Sequence, residues 1–180
     1  FKTVNIVQAQ TPLTASIQIM DVACKGDSSG YIVATAAGSY APYTYIWNDS
    51  ITLPDTSVAL QITGPTFTRD SLNNLSTGSY ELVIEDAWGC EVNYSNMVNE
   101  PAVALSSSLI KINDIDCYGD SIGSVQVNVS GGILNYSFLW DNNETSNIAL
   151  NLTAGLHMVY VTDDWGCVIE DTITINENPL

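Results

Sequence analysis

The sequence predicts an all-β protein made of two tandem sandwich repeats, and three observations carry that prediction. Apolar and polar residues alternate over runs of about 5 to 8 residues. Gly, Asn and Asp turns punctuate those runs. One motif occurs twice, as Asp86-Ala87-Trp88-Gly89-Cys90 and as Asp163-Asp164-Trp165-Gly166-Cys167.

In both copies an alternating run enters the motif, Tyr80 to Glu85 and His157 to Thr162, and another strand-like run leaves it. The motif therefore reads as a hairpin turn closed by a cysteine. Its aspartate is suited to accept backbone N–H bonds, and the glycine three residues on to take the positive φ of a bulged hairpin.

Aligned on itself, the chain keeps one offset from Cys24 onward: Cys24, Asp27, Gly30, Gly38, Tyr43 and Trp47 each recur 93 residues later. Past the middle of the repeat the offset becomes 77, as for Gly78 and Gly155 or Cys90 and Cys167, so repeat one carries 16 extra residues, placed at about 50–70. The domains are then 13–101 with that insertion and 102–180, with 1–12 as the tail of a preceding repeat or a linker.

Each repeat opens with a strand, Ala15 to Ala23 or Ser106 to Asp116, that runs into Cys24-Lys25-Gly26-Asp27 or Cys117-Tyr118-Gly119-Asp120. The next strand puts Ile32, Ala34 and Ala36, or Val125, Val127 and Val129, on one face, and a glycine, Gly38 or Gly131, ends it. Tyr43, Tyr45 and Trp47 then recur as Tyr136, Phe138 and Trp140, an aromatic row on one strand face that core packing explains more simply than a glycan platform. After a strand that includes Asn147 to Leu150 comes a corner, Leu75-Ser76-Thr77-Gly78 or Leu152-Thr153-Ala154-Gly155. Tyr80, Leu82 and Ile84 follow on one face, with His157, Val159 and Val161 as equivalents. The single histidine thus holds a core-facing slot that the sister repeat gives to tyrosine, and its expected role is structural.

Of the 180 residues, 46% are hydrophobic, 20 are acidic and 4 are basic, for a net charge of −16. That charge excludes nucleic acid and anionic membranes as natural partners. No run is long and apolar enough to insert in a bilayer, and any secretion signal is expected outside these residues. Cys24, Cys90, Cys117 and Cys167 have no C-x-x-C spacing and one histidine to help them, which argues against zinc and for disulfides formed outside the cytoplasm. No serine or cysteine has a histidine in both repeats to activate it, so the expectation is a protein that is not an enzyme.

The order Cys-x-Gly-Asp-x-x-Gly, alternating strand, glycine, x-Tyr-x-aromatic-x-Trp, Leu-x-x-Gly and Asp-x-x-Gly-Cys resembles the SprB-type repeat of very large cell-surface adhesins of gliding Bacteroidota. Repeat one carries it in Cys24-Lys25-Gly26-Asp27, Gly38, Pro42-Tyr43-Thr44-Tyr45-Ile46-Trp47, Leu75-Ser76-Thr77-Gly78-Ser79-Tyr80 and Asp86-Ala87-Trp88-Gly89-Cys90. Repeat two departs at Asn135, where repeat one has Pro42, and at His157, where it has tyrosine. The resemblance implies type IX secretion, display on the outer-membrane surface of a Gram-negative cell, and a part in gliding, adhesion or polysaccharide attachment, with neighbouring repeats of the same chain as partners.

The expected architecture is two immunoglobulin-like β-sandwiches, each with one intra-domain disulfide, Cys24 with Cys90 and Cys117 with Cys167, because a domain of about 80 residues gains from a staple. Strictly alternating strands would make that pairing fit six strands better than seven. Six would also bring both termini to one end, which suits a serial array poorly, and the sequence leaves that conflict open. With those pairings Asp27 and Asp120 would lie near Asp86, Asp163 and Asp164, a carboxylate cluster that suits calcium, with plain turn capping as the simpler alternative. Ser50, Ser71, Ser121 and Thr172 stand in Asp-Ser/Thr-apolar triplets that resemble the O-glycosylation signal of Bacteroidota. Trp88 and Trp165 are either covered, packed over a disulfide or on the neighbouring repeat of a structural stalk, or exposed, with Tyr40 or the 50–70 insertion beside them, to stack the sugar rings of extracellular polysaccharide or surface glycans. The stalk is the favoured reading.

Overall fold

The computed structural model describes residues 11–49 and 69–178. The chain divides into two compact units: the first takes residues up to Val22 and Ser28–Asn99, the second takes Ala23–Asp27 and Glu100 onward. All the regular structure among the described residues is β-strand.

The first unit holds β1 (Thr14–Met20), β2 (Gly30–Ala37), β3 (Thr44–Asp49), β4 (Arg69–Leu75), β5 (Gly78–Glu85) and β6 (Glu91–Val98). The second holds β7 (Ser106–Asn113), β8 (Gly123–Ser130), β9 (Ser137–Trp140), β10 (Ile148–Leu152), β11 (Gly155–Thr162) and β12 (Val168–Ile175). Each unit is a sandwich of two antiparallel three-stranded sheets, ordered β1-β2-β4 and β3-β5-β6 in the first and β10-β8-β7 and β12-β11-β9 in the second.

The period-two patterns fix the inner faces. Ile32, Ala34 and Ala36 from one sheet meet Tyr45, Trp47, Leu82 and Ile84 from the other, all buried; Val125, Val127, Trp140, Val159 and Val161 do the same in the second unit. Full burial of each valine, leucine or isoleucine among them stabilises by roughly 1.5–3 kcal/mol. The aromatic rows are core, as their spacing predicts. Buried polar tips find partners: Trp47 Nε1 donates to Asp70 Oδ2 at 2.9 Å and Trp140 Nε1 to the Ser146 carbonyl at 2.9 Å. Gly38 and Gly131 end their strands at φ 79° and 71°. A Cβ there would lie 2.0 Å from the carbonyl oxygen of Pro12 or Ala104, so no other residue fits.

Among the described residues each unit has six strands, and their register gives the course of the chain. In the second unit Gly123 pairs with Leu152 and Gly155 with Ile175 at one end, whereas Ser106 pairs with Ser130 and Thr162 with both Ser137 and Val168 at the other. β9 and β10 consequently run in the same direction, each toward the first of these ends. The chain enters the unit at one end, with β7, and leaves at the other, with β12. The first unit repeats this course, with Met20 opposite Tyr31, Gly30 opposite Leu75 and Gly78 opposite Val98 at its exit end, and Glu85 opposite Glu91 at its entry end. Six strands therefore place the termini of each unit at opposite ends, and the conflict that strict alternation raised does not arise.

The same course corrects the expected disulfides. In the second unit the Cys117 loop follows β7 at the exit end, and the Cys167 turn joins β11 to β12 at the entry end. The eight residues of β11 separate those ends by about 24 Å at the usual rise, whereas a disulfide needs Cα atoms within about 7 Å. Cys117 cannot reach Cys167, and the same topology bars Cys24 from Cys90. The bridge that forms is Cys24–Cys167, across 143 residues of sequence, with Sγ atoms 2.14 Å and Cα atoms 5.6 Å apart. Cys90 and Cys117 are free and exposed.

Candidate functional site

The entry end of each unit is built around the aspartate that opens the repeated turn. Asp86 N donates to the Cys90 carbonyl at 3.0 Å and Gly89 N to the Asp86 carbonyl at 3.1 Å, with Gly89 at φ 79°. Asp86 Oδ1 accepts from Trp88 N at 2.8 Å and Cys90 N at 2.9 Å, and Oδ2 accepts from the Ser39 hydroxyl. Asp163 Oδ1 likewise accepts from Trp165 N at 3.0 Å and Cys167 N at 2.9 Å, and Oδ2 from Ile133 N at 2.9 Å. The loop after the second strand is tied to the same turn, since Ala87 N donates to the Tyr40 carbonyl at 3.0 Å and Asp164 N to that of Ile133 at 3.1 Å.

Both aspartates are buried, and these donors favour their charged form. The bonds from Ser39 and Cys90 lead the causes that hold the Asp86 carboxyl at about 2. At Asp163 burial opposes ionisation, yet the N–H groups of Ile133, Cys167, Trp165 and Gly166 outweigh it and hold the carboxyl below its ordinary value. The Asp86 charge in turn pushes the Cys90 thiol up.

The proximity expected of Asp120 to Asp163 and Asp164 is lost with the intra-domain bridges. Within the second unit the Asp120 loop and the Asp163-Asp164 turn stand at opposite ends, and Asp86 and Asp163 spend their oxygens on N–H and O–H donors. Among the described residues no three His, Cys, Asp or Glu side chains gather in a way that could hold a metal ion.

The tryptophans are not covered as the stalk reading expected. Trp88 is 59% exposed and Trp165 is 46% exposed. Trp88 stacks on Tyr40 with ring centroids 4.1 Å apart and planes 11° apart. Ile133 stands at the Tyr40 position in repeat two, so the aromatic pair belongs to the first unit alone. Of the candidate modification residues, Ser71, Ser121 and Thr172 are exposed, and Ser50 lies outside the described residues.

At the bridge, Ala23–Asp27 belongs to the second unit. This strap is held by Glu100, whose Oε2 accepts from Gly26 N at 2.8 Å and whose Oε1 pairs with Lys25 Nζ at 3.0 Å. The Gly26 N–H first and Lys25 second hold the Glu100 carboxyl below its usual range. Cys167 is buried in the bridged turn, whereas Cys90 in the unbridged one is exposed. Glu177 plays the part of Glu100 for the second loop, accepting from Gly119 N at 3.1 Å. Neither glutamate was among the predicted site residues, although both obey the 77-residue offset and were findable on it.

A family model described as the SprB repeat matches residues 16–52 and 110–145. No curated protein matches the chain. Among solved structures, the chain is similar to the C-terminal 282-residue fragment of intimin, determined in complex with the intimin-binding domain of the translocated intimin receptor, at 12% identity over 91% of this chain and 64% of that one, TM-score 0.52. It is also similar to the three N-terminal domains of the highly immunogenic outer capsid protein of bacteriophage RB49, at 14% identity over 92% of this chain and 59% of that one, TM-score 0.47. A third is the set of fibronectin(III)-like modules of CbhA from Clostridium thermocellum, at 16% identity over 90% and 95%, TM-score 0.36. The chain spans less than two thirds of the first two. The likeness to the intimin fragment is one of fold, an immunoglobulin-like sandwich. The two family matches, one in each repeat, are consistent with two copies of the SprB repeat in tandem.

Proposed function

We propose that the chain is a structural repeat segment, a stalk, of a secreted bacterial cell-surface adhesin that serves gliding motility or surface attachment and has no catalytic role. The two SprB repeats support the surface assignment. The observation that carries the stalk is the Cys24–Cys167 bridge, which ties the first repeat's loop into the second unit, while each unit takes the chain in at one end and releases it at the other. A module that must transmit load gains from such a bond, because the residues between the cysteines cannot be drawn out while it holds. Force spectroscopy through the termini tests this. The bridge shields a sequence separation of 143 residues, so reduction should add roughly 500 Å of extensible chain at the full reach of about 3.6 Å per residue. Equal lengths in oxidised and reduced protein would contradict the stalk.

A second reading is favoured by one observation, the exposed Trp88 stacked on Tyr40. An aromatic face of that kind can take a sugar ring, which would make the first unit a carbohydrate-binding module for polysaccharide.

A further inference from the structure

The two free cysteines stand in sites already built to be bridged. The Cys90 turn has the hydrogen bonds of the Cys167 turn, from aspartate carboxylate to the amides of tryptophan and cysteine. The Cys117 loop matches the Cys24 loop: Asp120 N donates to the Cys117 carbonyl at 3.2 Å as Asp27 N does to that of Cys24 at 3.0 Å. Gly119 and Gly26 each donate to a glutamate. Cys24 and Cys167, the partners of these two kinds, are bonded to each other.

We propose that Cys90 and Cys117 are the attachment points of further inter-repeat disulfides. Cys90 accepts the cysteine of a Cys-x-Gly-Asp loop from another repeat of this type, and Cys117 is given to the Asp-x-Trp-Gly-Cys turn of another. The pairing is heterologous, since each repeat offers one loop and receives one, and such a contact propagates along a series rather than closing on itself as a two-fold pair would. In each bond two Sγ atoms join, and two protons and two electrons leave the thiols. A disulfide oxidant takes them up and is itself reduced to two thiols. The inference rests on the stalk reading's repeats in series, but thiol pairing is read chemically and can fail or hold whatever the chain adheres to.

The test mixes two variants of the full chain, C90S, which keeps Cys117, and C117S, which keeps Cys90, both retaining the Cys24–Cys167 bridge. The mixture is brought to exchange equilibrium with reduced and oxidised glutathione, at high protein concentration and at mildly alkaline pH, where thiolate exchange is faster. Circular dichroism first verifies that both variants are folded. The mixed dimer, bonded Cys117 to Cys90, should exceed either homodimer by roughly tenfold or more. Dimers in the proportions of random pairing, a predominance of homodimer, or no dimer would each overturn the proposal. Unaltered protein gives an independent readout: peptide mapping of its oxidised oligomers should find Cys117 joined to Cys90, and symmetric bonds in their place would also overturn it.

Discussion

His157 and Tyr80 end on the same acceptor in their two units. Tyr80 Oη donates to the Ser76 carbonyl at 2.9 Å, and His157 Nε2 lies 2.9 Å from the equivalent Thr153 carbonyl. His157 Nδ1 adds a contact of 3.0 Å to Asp141 Oδ2. Both side chains are buried. The histidine therefore replaces the tyrosine of this corner and adds a contact through its second nitrogen, and it has the structural place that its sequence slot predicts.

This equivalence makes the substitution reversible. His157→Tyr should keep the fold and change unfolding free energy by less than about 1 kcal/mol, since the phenol reaches the same carbonyl. Tyr80→Phe should cost about 1–3 kcal/mol because it strands that carbonyl. Urea denaturation of the variants measures both, and a His157→Tyr variant as destabilised as His157→Leu would refute the shared role.

The turn aspartates should make the protein acid-labile. Asp86 has its folded-state carboxyl at about 2 against an ordinary 3.8, and Asp163 is displaced in the same direction. A depressed folded value means that stability is present above the ordinary value and is lost as the pH falls toward the folded one. Melting temperature should hold near neutrality and drop between about pH 4 and 2. Asp86→Asn should lower the melting temperature at pH 7 and flatten the acid fall. An acid profile identical to that of the parent would contradict the assignment.

Sugar binding turns on one aromatic pair. If the first unit is a carbohydrate-binding module, Trp88→Ala should abolish glycan binding on an array while Trp165→Ala leaves it, because Tyr40 backs only Trp88. The stalk predicts that the parent and both variants are equally silent. Tight binding by the parent that vanishes in a folded Trp88→Ala variant would favour the module.

Much of the fold is legible in the sequence because period-two alternation reports which face a residue occupies. Val125, Val127, Tyr45, Trp47 and Leu82 lie where their spacing puts them, and the Asp-x-Trp-Gly-Cys motif is the capped, bulged turn its residue types imply. Alternation says nothing of strand direction. β9 and β10 run the same way, which no residue pattern announces, and that single departure from up-and-down order sends Cys117 and Cys167 to opposite ends. The disulfide pairing failed on it, and with that pairing went the expected meeting of Asp120 with Asp163 and Asp164. Ser39 was hidden for another reason: its partner in repeat two is a backbone N–H, that of Ile133, so the two repeats share the acceptor and not a residue type.

The direct measurement is disulfide mapping of the unreduced chain. Trypsin cuts after Lys25, Arg69 and Lys111 and leaves Cys117 and Cys167 on one peptide, so a second cleavage between them, before Asp163 for example, is required. Mapping should find the peptide of Cys24 bonded to that of Cys167, with Cys90 and Cys117 alkylated as thiols in the monomer. Cys24 joined to Cys90 together with Cys117 joined to Cys167 would contradict the strand order, the strap and the stalk at once.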